Sequence, residues 1–135
     1  MKQAALRHAQ RTDEQIQVIK KAWLKRNRKQ ATAAAKAALI GKTAKHPMIA
    51  GAIKFSTYGI KEAINQPHSK LYEKNKLVKD IISVIKNATY SKTAKDRKGR
   101  GWIFHYLKIN IAGIDSYIVI RQIGKEYSFY SITEI

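Results

Sequence analysis

The 135-residue chain contains no cysteine. That excludes disulfides, thiolate nucleophiles and cysteine-based zinc sites. Acidic residues are scarce: nine Asp and Glu stand against 27 Lys and Arg, a formal charge of +18. An excess of that size goes beyond what solubility needs. It points to a polyanionic partner, nucleic acid ahead of an anionic membrane surface or an acidic protein. The four histidines show no paired spacing, so neither a metal site nor a cofactor is expected. No apolar run approaches the length of a membrane-spanning helix. Residues Met1 to Arg11 are polar and basic and lack the apolar core of a secretory signal, so export would require a larger parent chain.

What is present suffices for one domain with an appendage, since 44% of the residues are apolar. Thr12, Asp13, Glu14 and Gln15 read as a capping box, and Ile16, Ile19 and Trp23 follow at helical spacing. A basic run and the Ala-rich stretch from Ala31 extend this helix from about Asp13 to Leu39, with Gly41 as its stop. The apolar stripe is thin, so half of the helix is expected to project from the core. His46 and Pro47 mark a linker. The division is therefore a basic helical segment over 1–50 and a second unit over 51–135. Ile53 to Thr57 reads as a short strand and Ile60 to Asn65 as a short helix ended by Pro67. Ser69 is placed to cap a further helix reaching about Thr89, whose core face is Leu71, Leu77 or Val78, Ile81, Ile82 and Ile85. Ser91 to Gly101 reads as a polar basic loop. Three alternating strands follow, over 102–111, 116–122 and 126–133, with turns at Ala112-Gly113 and Gly124-Lys125. Helices first and a meander last define an α+β fold, with N-terminal helices followed by a twisted antiparallel sheet of about four strands.

The densest chemistry lies between Lys54 and Lys70. Lys54, Ser56, Thr57, Glu62, His68 and Lys70 bring cations, hydroxyls, a carboxylate and an imidazole into one short segment. Such a set in a basic chain without metal ligands suits metal-independent RNA cleavage. There the ribose 2′-OH attacks the adjacent phosphate, a base takes its proton, an acid protonates the leaving oxygen and fixed cations stabilise the charge. His68 fits the acid/base role beside a helix N-terminus that favours phosphate, and fits equally a surface loop histidine. Glu62 is the alternative base, or a solvated helix carboxylate. Lys54 and Lys70 would hold phosphate, or simply face water. Ser56 and Thr57 would donate to phosphate or cap the Ile60 helix. Arg121 shares a strand face with Tyr117 and Val119, and strict alternation sets Tyr127, Phe129, Ser131 and Thr133 on one face of the last strand. Arg121 with Ser131 or Thr133 would then line a cleft away from the helices. His105 is a hydrogen-bonded core residue if Ile103, Leu107 and Ile109 face inward, and is exposed beside the substrate if Trp102, Phe104 and Tyr106 do. Tyr106 and the other tyrosines interleave with cations as base-stacking surfaces do, or merely pack. Lys95, Arg97, Lys98 and Arg100 in the basic loop suit phosphate-backbone contact.

Several of these residues form a recognisable pattern. A strand ends in Phe55-Ser56; Gly59-Ile60-Lys61-Glu62 follows; Gln66-Pro67-His68 precedes a helix; and the closing meander contains Tyr130-Ser131-Ile132. From Ile53 to Ile135 the chain resembles the phage-associated and toxin branch of the barnase, EndoU, colicin and RelE-like nuclease superfamily. The resemblance implies an endoribonuclease, a toxin-type tRNase that leaves 2′,3′-cyclic phosphate ends. Lys54, Glu62, His68 and Arg121 would be its catalytic residues. It further implies action in the bacterial cytoplasm, delivery as the C-terminal part of a larger secreted or phage protein (as in contact-dependent growth inhibition), and an acidic immunity or antitoxin protein as partner. The competing expectation is a non-catalytic basic nucleic-acid-binding module, for which the long helix and the loop suffice.

Overall fold

The computed structural model describes residues 13–135. It is α+β, with helices followed by a six-stranded sheet in the order β1-β2-β6-β5-β4-β3. Helix α1 (Asp13–Leu39) has the bounds expected from sequence. Asp13 and Glu14 lie in its first turn, where the helix dipole favours negative charge. Gly41 follows its end at a φ of 85°, a left-handed value that costs other residues strain. Thr12, the expected cap, and His8 lie outside the described residues. The N-terminal half of α1 is largely exposed, whereas Ala35 and Leu39 are fully buried.

Strands β1 (Thr43–Ala44) and β2 (Ile53–Lys54) pair antiparallel, and β2 pairs in parallel with β6 (Glu126–Glu134). The sheet is thus mixed and larger than the expected four strands. Two-residue strands leave no alternation for sequence reasoning to detect. Between β1 and β2 the buried His46 ties two segments together: Met48 N donates to its Nδ1 at 3.0 Å, and Nε2 lies 2.7 Å from Ala88 O.

Helix α2 (Thr57–Asn65) opens at Ser56, whose Oγ accepts from Gly59 N at 3.1 Å. The helix buries Ile60, Ala63 and Ile64 and runs along β6, covering the edge that the short β2 leaves open. Gly59 makes this approach possible, because any Cβ there would collide with the carbonyl oxygen of Phe129. Pro67 forces Gln66 out of helical geometry, to a ψ of 133°, so α2 has no left-handed cap. Its orphan carbonyls are met from elsewhere. The fully buried Lys74 donates through Nζ to Ala63 O, Ile64 O and Gln66 O at 2.5, 3.0 and 2.7 Å.

The single helix expected up to Thr89 is broken into α3 (Leu71–Leu77), a 3₁₀ turn (Val78–Asp80) and α4 (Ile81–Asn87). Ser69 does not cap α3. Its N–H and Oγ both donate to the Glu134 carboxylate. The expected loop begins instead as an edge strand, β3 (Thr89–Lys95), paired with β4 (Ile103–Ile111) and bulged at Ser91. A mostly exposed, Lys-containing edge strand has the composition of a loop, which is why it reads as one. Strands β4, β5 (Ile114–Ile123) and β6 form the expected meander. Leu107, Ile118, Ile120, Phe129 and Ile132 on its inner face share one apolar core with Ala35, Leu39, Ala44, Ile60, Ile64, Ile81 and Ile85.

Candidate nucleic-acid interface

The helices cover one face of the sheet. Cross-strand pairs Phe104↔Arg121, Tyr106↔Val119 and Lys108↔Tyr117 fix which side chains share the other face. On β6 a bulge intervenes: Val119 pairs with Ser131, but Ile120 pairs with Phe129, which leaves Tyr130 as the extra residue. Strict alternation therefore fails there. Tyr127 and Phe129 face the helices, while Ser128, Tyr130, Ser131 and Thr133 face away. The bulge adds an aromatic ring to the open face, with Tyr130 at 5.3 Å from Phe104 and 6.2 Å from Tyr58 of α2, centroid to centroid.

The result is a platform of rings with cations on it. The Arg100 guanidinium lies 3.5 Å from the Trp102 ring centroid. Arg121 lies 4.6 Å from Trp102 and 5.5 Å from Tyr130. Lys92 Nζ sits between Tyr106 and Tyr117, at 5.1 and 5.3 Å. These are cation–π distances, and they hold each charge at a defined place above the sheet. The two arginines differ in their partners. Asp96 receives the Arg100 Nε and NH2 donors at 2.6 and 3.0 Å and two backbone N–H groups besides. Its hydrogen bonds from Arg100 hold the Asp96 carboxyl well below the usual range and push the guanidinium up. Among the described residues Arg121 makes no salt bridge, and its buried Nε has no hydrogen-bond partner there. It also reaches a second opening, a groove of about 330 Å³ that it lines with Lys54, Ser56, Glu126 and Ser128. Burial, then the adjacent Tyr58, raises the Tyr130 pKa, and the Glu62 carboxylate is near enough to add to that shift. A raised phenol stays protonated and remains a donor.

The sequence-predicted residues thus separate into groups. Lys54, Ser56 and Arg121 meet in one groove, with Lys54 ion-paired to Glu126 at 2.8 Å. Glu62, half-buried on α2, is close enough to Tyr130 for its charge to add to the rise of that phenol's pKa. Ser56 is the cap of α2 and Thr57 its first residue. Ser131 and Thr133 share the open face with Arg121 and Tyr106. Lys95, Arg97, Lys98 and Arg100 lie at and beyond the end of β3, with Arg100 folded back onto Trp102. His68 is elsewhere, in a groove of about 610 Å³ with Ser69, Thr133 and Glu134. Its Nδ1 accepts from Lys70 N at 2.8 Å, and Nε2 lies 2.8 Å from Ser116 Oγ, which in turn donates to Ile114 O. Both ring nitrogens are engaged, and the neighbouring Glu134 is held ionised by its bonds from Ser69. His105 lies on the helix face, opposite to Tyr106, between Tyr90 OH at 2.8 Å and Gln122 Oε1 at 2.7 Å.

Sequence reasoning missed Trp102 and Phe104 as floor of the platform, Lys92 as a cation above it, and Lys74. The signal for the first two was present, because Trp102, Phe104 and Tyr106 alternate in phase with Tyr117 and Arg121. Among the described residues no group of three or more His, Asp or Glu could hold a metal ion, and no helix is long and apolar enough to cross a membrane.

These features define an α+β domain that carries a cationic, aromatic sheet face. Residues 22–128 match the family model described as large polyvalent protein-associated domain 3, and the chain belongs to that family. No curated protein and no solved structure matches it.

Proposed function

We propose that the open sheet face binds single-stranded RNA and that its α2 rim cleaves the strand without a metal ion. The observation that carries this reading is Arg121: an arginine with no salt bridge among the described residues, held against Trp102 and Tyr130 and facing both the platform and the Lys54 groove. Bases stack on exposed rings irrespective of sequence, while cations beside them take the phosphates. In the cleavage step Glu62 takes the proton of the ribose 2′-OH. The 2′-oxygen then bonds to phosphorus as the bond to the 5′-oxygen breaks. The Tyr130 hydroxyl, kept protonated, donates to the departing oxygen, and Arg121 with Lys54 stabilises the non-bridging oxygens. The products are a 2′,3′-cyclic phosphate and a free 5′-hydroxyl. His68, engaged at both nitrogens, holds the loop after α2 against β5. The resemblance to toxin nucleases extends the reading to tRNA as substrate, a phage or secreted parent protein, and an acidic protective protein that covers this face.

A second reading, a binding module without cleavage, is favoured by one fact: the imidazole best suited to acid/base work is occupied. One experiment separates the two. Purified protein is incubated with total RNA in EDTA, and the products are run on denaturing and native gels. Fragments with cyclic phosphate ends, lost in Glu62→Gln and Arg121→Ala, establish the nuclease. Intact RNA that is retarded by wild type but not by Arg121→Ala establishes the module. RNA neither cut nor retarded refutes both.

A further inference from the structure

The open face receives one residue from each of two β-bulges. Tyr130 on β6 is the first. The second arises on β3. Tyr90 pairs with Leu107 and faces the helices, where its hydroxyl lies 2.8 Å from His105 Nδ1. Strict alternation would set Lys92 on that same face. Instead the register shifts between Tyr90 and Lys92, Ser91 becomes the extra residue, and Lys92 pairs with Tyr106 on the open side. A bulge interrupts the ladder and is used where a side chain has to be re-aimed. Here the re-aimed side chain is a lysine, whose Nζ lies 5.1 Å from the Tyr106 ring and 5.3 Å from that of Tyr117. The two rings meet edge to face with centroids 5.3 Å apart. Lys92 is exposed and makes no salt bridge among the described residues.

This lysine and its rings stand apart from Phe104, Tyr130 and Arg121. Phe104 pairs with Arg121, whereas Lys108 pairs with Tyr117. Four residues of β4 thus separate the two stations, about 13 Å at the rise of a strand. The floor between them is Val119 and Ser131, small side chains that are both buried. Bases stacked on one another rise by only about 3.4 Å. Adjacent stacked bases therefore cannot occupy both stations. On the reading that the open face binds and cleaves RNA, on which this inference rests, we infer that Tyr106, Tyr117 and Lys92 form a subsite for a nucleotide beyond the two that flank the cleaved bond. Its base packs against Tyr117, and Lys92, on a flexible stem, leaves the rings for the adjoining phosphate. The substrate class is then an extended single strand of at least three nucleotides. A dinucleotide fills the first station alone, and a duplex, with its bases paired and stacked, fills neither.

The test is fluorescence anisotropy with end-labelled 2′-O-methyl oligouridylates of two and four nucleotides, which bind without being cut because the attacking hydroxyl is blocked. Wild type should bind the tetramer roughly 5- to 150-fold more tightly than the dimer, the range for one further stacked base. Tyr117→Leu should lose that gain while binding the dimer as wild type does, which a misfolded protein would not. Lys92→Ala should lower the salt slope of tetramer binding by about one phosphate's worth and leave that of the dimer unchanged. Lys92 is exposed, so its variant remains informative if Tyr117→Leu fails to fold. A wild-type length ratio and salt slope in both variants, or no length dependence in wild type, overturns the second station and leaves the first standing. Equal weakening of dimer and tetramer in a variant of unchanged melting temperature merges the two stations and overturns it as well. No binding of either length by wild type sinks the open-face reading itself.

Discussion

Lys74→Met is the substitution whose effect can be worked most completely from the structure. Methionine retains the apolar stem but removes three donors. Ala63 O, Ile64 O and Gln66 O, which Lys74 Nζ serves at 2.5–3.0 Å, are left without them. An unsatisfied buried acceptor costs about 1–3 kcal/mol, so the gross loss is several kcal/mol. Removing a desolvated ammonium returns part of this, since burial, with Arg28 nearby, draws its pKa down to about 7. The expected net destabilisation is about 3 kcal/mol, or a melting temperature lower by roughly 10 °C for a domain of this size. The pH dependence supplies an independent check. The folded pKa lies below that of the unfolded chain, near 10.4, so the unfolded state binds more protons between those values. The contribution of Lys74 to stability therefore rises with pH from about 7 to 10 and is flat below 7. Urea unfolding of wild type and variant across pH 6–10 measures both effects. A variant as stable as wild type, or one with an unchanged slope above pH 7, refutes the assignment of Lys74 as the cap of α2.

Other substitutions probe the remaining elements. Gly59→Ala drives a methyl into Phe129 O and should cost about 3 kcal/mol or prevent folding, read by thermal denaturation. Ala112 occupies a φ of 49° in the β4–β5 turn, so Ala112→Asn should stabilise by about 0.5–1 kcal/mol in the same assay. Arg121→Lys keeps the charge but loses the planar stack on Trp102 and Tyr130. It should weaken RNA binding by roughly 10-fold with little change in salt dependence, whereas Arg121→Ala should also lower the slope of log affinity against log salt by about one phosphate's worth.

The parts of the fold that sequence made legible are those with long, regular patterns. The span of α1 from Asp13 to Leu39, stopped at Gly41, and the alternation of β4 and β5 are dictated locally and are observed as expected. What escaped was set by tertiary contacts. β3 has few apolar residues because it is an edge, and β1 and β2 are too short to carry a period. The Tyr130 bulge turns half of β6 over without any residue that announces it. The candidate site shows the same division. Arg121 and its face followed from alternation, and Lys54 and Ser56 do meet it in one groove. The compact segment from Lys54 to Lys70 promised a single cluster. Instead α2, lying along the β6 edge, spreads it out, with Lys54 at one end and His68 at the other. Proximity in sequence measured along a helix is distance in space. Lys74, a cation indistinguishable by type from its many neighbours, became structural only because Pro67 denied α2 its own cap.

The parallel pairing of β2 with β6 also governs the order of assembly. Ile53 meets Tyr127, and no earlier segment can stand in for that partner. During synthesis β3, β4 and β5 can zip as hairpins between near neighbours, while β2 and α2 wait for β6 to emerge. Such a non-local closure makes the final step slow compared with hairpin formation. The complete platform, with Tyr130 contributed by that last strand, therefore exists only once the whole domain has been made.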